Sequence, residues 1–223
     1  MRSEAHKPVS FRFCAMQYLN VWFGYDRNFV EGLRPERSTH ERVRTLREAA
    51  TFYRIARNFK TFSDERTRER VLRALDGTSG GNFDVDDAVE TLACELAKCC
   101  GKQLTSAASK LLWFRRRSPI VIFDWLAVLG LRTGPDAKQP PRFDYRTYRK
   151  EWRRQFERER ERVSAASHAL TRVRDFSLGY SESQQSLASI VAKPWFHERV
   201  FDQFLWWTGK KREDFQGNPR FSS

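Results

Sequence analysis

The sequence predicts a mostly α-helical fold, and three of its features carry that prediction. Apolar residues recur every three to four positions over most of the chain. Residues that start and stop helices (Ser, Thr, Asp, Pro, Gly) punctuate those runs at helix-length intervals. Alternation of period two is sustained nowhere beyond Ile120 to Phe123. Pattern alone gives roughly eight to nine helices, with no internal repeat and no glycine-rich nucleotide loop. The 223 residues are enough for a single helical domain. Two lobes are expected within it, at about 30–100 and 101–223, the N-terminal segment joining the second.

The aromatic-rich stretch Phe11 to Val30 comes first, and Gly24 is expected to end a helix there. Gln17 and Tyr18 carry polar groups on that apolar stretch, so either could face a pocket. After the turn at Arg34–Pro35, Ser38 or Thr39 can cap a helix that the pattern carries to Asn58. Ser63 or Asp64 caps the next one, with Val71, Leu72 and Leu75 on its buried edge and Gly77 as its stop. Thr78 to Asp84 reads as loop. Asp84 to Lys98 returns to helix, closed by Gly101.

Two apolar helices joined by a basic turn follow, from Leu104 to Leu131. Pro140 and Pro141 then stiffen a surface connection. Tyr145 to Val163 alternates Arg and Glu at spacings that allow intrahelical pairs, with Tyr148, Trp152 and Phe156 forming one buried edge. Ser177 to Ser186 reads as loop, Pro194 opens a last aromatic helix, Gly209 ends it, and the tail is expected to be loose.

Composition narrows the function classes. Hydrophobic residues make up 40% and charged residues 31%, a globular balance. The net charge of +13 attracts polyanions, nucleic acid first and anionic membrane second. Cys14, Cys94, Cys99 and Cys100 form no C-x-x-C, and no histidine spacing completes a zinc site or iron–sulfur set among them. They are expected to be buried small apolar side chains in a reducing compartment. The longest apolar run, IVIFDWLAVLGL, is too short to span a bilayer and contains an acid. A cytoplasmic, soluble monomer without metal or cofactor is the expectation.

The chemistry concentrates in Leu104 to Leu131. Asp124 stands just before the helix WLAVLGL, where free N–H groups and the helix dipole favour its anion. It either only caps that helix or offers a held carboxylate. Lys110 is read as lying in the opening turn of its helix among Ala107, Leu111 and Leu112. Dipole and burial there would disfavour its cation and expose a neutral nucleophile. If fully exposed, it is one more basic contact. Between them Arg115, Arg116 and Arg117 make a positively charged turn suited to a phosphate backbone.

Residues 104–131, with LTSAASK ending at Lys110 and VIFD ending at Asp124, resemble the helix-hairpin-helix DNA glycosylases, particularly the 8-oxoguanine glycosylase branch. The chain is similar to small bacterial proteins with that fold, some of which act against phages with modified bases. The segment differs from the family in having no glycine in LTSAAS and a shorter lysine-to-aspartate interval. The resemblance implies a two-lobed helical bundle and a glycosylase, possessing lyase activity if Lys110 is neutral, that excises a damaged or modified base flipped from double-stranded DNA. It further implies Asp124 and Lys110 as catalytic residues. Arg115, Arg116, Arg117 and Ser109 would hold DNA, and Gln17, Trp113, Phe123 and Trp125 would wall the base pocket. A non-catalytic basic DNA-binding protein has the same charge and hairpin and needs no pocket. A helical interaction module with an acidic protein partner is the third reading.

Overall fold

The computed structural model describes residues 9–55, 62–78, 84–100, 104–131 and 144–215. These are mostly helical and contain no strand. The expected stop at Gly101, the Pro140–Pro141 connection, the interior of the 78–84 loop and the tail beyond residue 215 lie outside the described residues. The helix expected to reach Asn58 ends at Phe52, and the tail expected to be loose after Gly209 stays helical to Phe215. The chain divides into two compact units. One comprises residues 1–20, 124–142 and 151–223; the other comprises 21–123 and 143–150. The chain passes between them before Val21, Asp124, Phe143 and Glu151.

The unit formed by the middle of the chain opens where α1 (Phe11–Val21) passes through a π-helical turn, Trp22–Asp26, into α2 (Arg27–Gly32). Gly24 therefore sits inside helical backbone and ends nothing. The wider turn leaves Asp26 buried, where its carboxylate accepts from Tyr53 Oη at 2.7 Å. Ser38 caps α3 (Thr39–Phe52) through a complete capping box with Glu41, as the sequence predicts. Asp64 receives the Arg66 N–H at the start of α4 (Glu65–Thr78), and Gly77 lies within that helix. Successive helices α3, α4, α5 (Val85–Cys100) and α6 (Thr105–Arg115) pack in sequence order. Their core runs through Leu46, Leu75, Val89, Leu92, Leu111, Leu112, Trp113 and Phe114.

Ile120 to Phe123 belongs to no helix or strand, and its backbone groups pair with side chains. Tyr145 Oη accepts from Val121 N (3.2 Å) and donates to Val121 O (3.0 Å). Tyr148 Oη donates to Ile122 O at 3.0 Å, and Phe123 N donates to Ser109 Oγ at 3.0 Å. Both tyrosines come from the first turns of α8 (Tyr145–His168). A buried segment must satisfy its polar groups, and hydroxyls here take the place of a neighbouring strand.

The unit formed by the two ends of the chain contains α1 up to Asn20, α7 (Trp125–Leu131), α8 from Glu151, α9 (Gln184–Val191) and α10 (Pro194–Phe215). Helix α9 begins within the stretch read as loop, with Ser183 accepting from Ser186 N as its cap. Pro194 opens α10 as expected, whereas Gly209 lies inside it. The α7–α10 crossing explains that glycine. A Cβ at Gly209 would stand 1.8 Å from Leu126 O, and one at Gly130 would stand 2.2 Å from Leu205 O. Two glycines, one per helix, let the backbones touch. Around the crossing, Trp152 and Phe156 of α8 meet Phe201 of α10, with ring centroids 5.1 and 5.6 Å away. Tyr18 of α1 lies 5.2 Å from Phe196 by the same measure.

Cys14 is buried, and burial pushes its thiol up to about 12. Cys94 is exposed and Cys99 half-buried, so the expectation of uniformly buried cysteines fails on α5. That helix turns only one apolar stripe inward, through Val89, Leu92 and Leu96, and Cys94 lies off it.

Candidate active site

Asp124 follows Ile120–Phe123 and precedes α7. Its Oδ1 accepts from Leu126 N at 3.0 Å, and its carbonyl accepts from Val128 N at 2.9 Å. The residue is half-buried. Its carboxylate is thus tied to a helix opening, where it satisfies an otherwise orphan N–H group. Trp125, beside it, is 42% exposed, unusual for an indole. In the same unit Asp202 of α10 is buried. Trp152 Nε1 donates to its Oδ1 at 2.7 Å and Arg199 to its Oδ2 at 2.9 Å. The Arg199 guanidinium carbon also stands 5.2 Å from the Tyr18 ring centroid.

Burial pushes the Asp202 carboxyl up to about 6 against the pull of Arg199 and Trp152, and the Asp124 carboxylate pushes it further the same way. The unit therefore holds two electrostatically linked carboxyls in different settings, one at a helix opening and one sealed behind a guanidinium and an indole. Asp202 and Arg199 escaped the sequence reading, and Trp152 was expected only as part of a buried edge. The available signal was Glu198, Arg199 and Asp202 standing inside an aromatic run, where some charge must face the core and find a partner. Glu198 has such a partner in Arg153 at 2.8 Å.

Lys110 belongs to the other unit. It is the sixth residue of α6, past the opening turn in which the sequence reading set it. A helix dipole acts within the first turn, so that part of the argument for a neutral amine falls away. Lys110 is half-buried between buried Ser109 and Leu111. Ser109 corrects another expectation. Fully buried, it donates to Ser106 O and accepts from Phe123 N, so its hydroxyl holds the chain and is not presented to phosphate. That bond ties Phe123 to α6.

The three arginines have separate fates. Arg115, its side chain only 9% exposed, donates to Leu33 O at 2.5 Å and pairs with Asp76 at 3.3 Å, so it braces the fold and is not a phosphate clamp. Burial lowers its pKa despite Asp76. Arg117 is half-buried with its guanidinium carbon 5.5 Å from the Trp22 ring centroid. Arg116 is exposed at the end of α6. Of the expected pocket aromatics, Trp113 has no exposed surface and packs edge-on against Phe114, which removes it from any pocket wall. Phe123 is half-buried with an edge-to-face contact to Tyr148. Gln17 is exposed on α1.

Among the described residues no group of three or more His, Cys, Asp or Glu side chains is arranged to hold a metal ion. Among them, too, no helix is long and apolar enough to cross a membrane. No protein-family model, no curated protein and no solved structure matches this chain.

Proposed function

We propose that this chain is a DNA glycosylase that removes a damaged or modified base from duplex DNA, in repair or in defence against phages with modified bases. The observation that carries the reading is Asp124, a carboxylate held at the opening of α7 beside a part-exposed indole, Trp125. An anion fixed in place before the reaction stabilises charge that develops only in the transition state. Two helical units, with the chain passing from one to the other at Phe123–Asp124, are in keeping with a two-lobed bundle of the helix-hairpin-helix glycosylase type.

A duplex shields its glycosidic bond, so the target nucleotide is first flipped out, at a cost of about a few kcal/mol. As the base departs with the electron pair of the C1′–N bond, positive charge grows on the sugar, and the Asp124 carboxylate offsets it. If the Lys110 amine is neutral, its lone pair forms the new bond to C1′, and the resulting Schiff base permits strand cleavage. If it remains charged, Asp124 assists an attacking water and only the base is lost. Arg116, and Arg117 in part, hold phosphates and carry no sequence information. Trp125 offers an aromatic face to the extruded base.

The test is a panel of duplexes, each carrying one modified base, incubated with the protein and developed with and without alkali. Release of one base by wild type, abolished in Asp124→Asn at nearly unchanged DNA affinity, supports the assignment. Equal release by the mutant ends it. Lys110→Gln should remove any borohydride-trapped complex if the amine forms the Schiff base. Salt-sensitive duplex binding without product across the panel would identify a non-catalytic DNA-binding protein, the reading favoured by charge alone.

A further inference from the structure

Most arginines with described partners are committed to carboxylates or carbonyls: Arg42 to Asp76, Arg149 to Asp86, Arg153 to Glu198, Arg154 to Glu151 and Arg199 to Asp202. Arg70 and Arg73 differ. Both are exposed on α4, and neither has an ion pair or hydrogen bond among the described residues. They line a groove of about 610 Å³ between α4 and α5, faced by Glu95, Lys98 and Cys99 from the other wall. Lys98 donates to Glu95 at 2.5 Å, and that bond chiefly raises its pKa, keeping the ammonium charged. Three cations against one carboxylate leave the groove positive. Arg66, exposed one turn before Arg70, extends the row, so the cations cover roughly 10 Å along the helix at 1.5 Å per residue.

We propose that the α4–α5 groove is a second DNA contact, one that takes the phosphodiester backbone of a duplex; this rests on the DNA reading of the chain. Roughly 10 Å matches about three base-pair steps at 3.4 Å each. Among the described residues the groove has no aromatic lining on which bases could stack, which favours duplex backbone over single strand. It is open and its cations are exposed side chains, a form that suits a polyanion lying along it. Glu95 restrains the site by occupying Lys98.

The experiment measures duplex affinity against KCl by fluorescence anisotropy for wild type, Arg70→Gln/Arg73→Gln and Glu95→Gln, with base release followed in parallel. Each lost phosphate contact lowers the salt slope by about 0.9, so the double variant should lose about 1.8, equally on modified and unmodified duplex. Glu95→Gln should tighten binding and steepen the slope by about 0.9, because Lys98 is released to a phosphate. Loss of a merely structural contact would not produce that gain. An unchanged slope in the double variant, or no duplex binding by wild type, overturns the assignment. Saturable inorganic phosphate binding that disappears in the double variant while its duplex slope holds gives the groove to a small phosphate and also overturns it. A reduced slope without base release from any duplex upholds the groove and removes only the glycosylase reading.

Discussion

Gly209→Ala probes the contact that positions Asp124. The added Cβ would lie 1.8 Å from Leu126 O, whereas ordinary contact begins near 3.4 Å, so α7 must retreat by the difference of 1.6 Å. Leu126 C at 2.7 Å and Gly130 N at 3.1 Å crowd the same atom, and all three obstacles are backbone, which no rotamer change relieves. Overpacking costs about 1–3 kcal/mol, and rigid obstacles belong at or above the top of that range. Alanine regains about 1 kcal/mol of helix propensity. The net loss is about 2 kcal/mol or more, which for a chain of this length lowers Tm by about 4–8 °C. Because α7 begins beside Asp124, the same retreat moves the carboxylate. A misplacement of about 1 Å costs on the order of 100-fold in rate, so base release per bound duplex should fall by about that factor while affinity holds. Gly77→Ala is the control, since nothing lies within 4 Å of its Cβ, and it should stabilise the chain by up to about 1 kcal/mol. A Gly209→Ala protein that melts with wild type and releases base at the wild-type rate would refute the reasoning.

Three further outcomes are expected. Ser109→Ala leaves Phe123 N without its acceptor and should cost about 1–3 kcal/mol in urea denaturation; a neutral result means that Ile120–Phe123 is held by the two tyrosines alone. Arg115→Ala should destabilise by about 2 kcal/mol, since it removes the bonds to Leu33 O and Asp76, while Arg116→Ala stays within about 0.5 kcal/mol and lowers the salt slope of DNA binding; equal stability losses would contradict the separate fates of these arginines. Asp202 titrates at about 6 in the folded state, above its ordinary 3.8, so the native state binds the proton more tightly. Its penalty is absent below about pH 4 and grows through pH 4–6, to about 3 kcal/mol once ionised. Burial holds His197 below its ordinary value and gives the opposite slope, stability being lost as pH falls. The difference between the wild-type and Asp202→Asn stability curves from pH 4 to 7 therefore isolates Asp202, and parallel curves would rule out its raised titration.

What the sequence made legible was local. Ser38 and Glu41 make their capping box within one turn, Pro194 needs only its own fixed φ to open α10, and the spacing of Tyr148, Trp152 and Phe156 announces a buried edge. Asp124 belongs to this class, because a cap contacts a residue two positions away. Features that failed depend on distant chain. Gly209 looks like a helix stop until Leu126, more than eighty residues earlier, arrives against it. Asp202 looks like another surface acid until Trp152, fifty residues earlier, covers it.

The arginine turn makes the distinction sharply, because Arg115, Arg116 and Arg117 are identical in local pattern. Leu33 and Asp76 draw one inward, Trp22 faces another, and only Arg116 is left well exposed. A run of like charges therefore predicts an electrostatic surface but not which members supply it. By the same logic Arg70 and Arg73 of α4 present exposed charge that no run of like residues marks out. If the chain engages DNA, salt dependence should divide between Arg116 and the α4–α5 groove, with Arg115 contributing to the melting temperature in place of the slope.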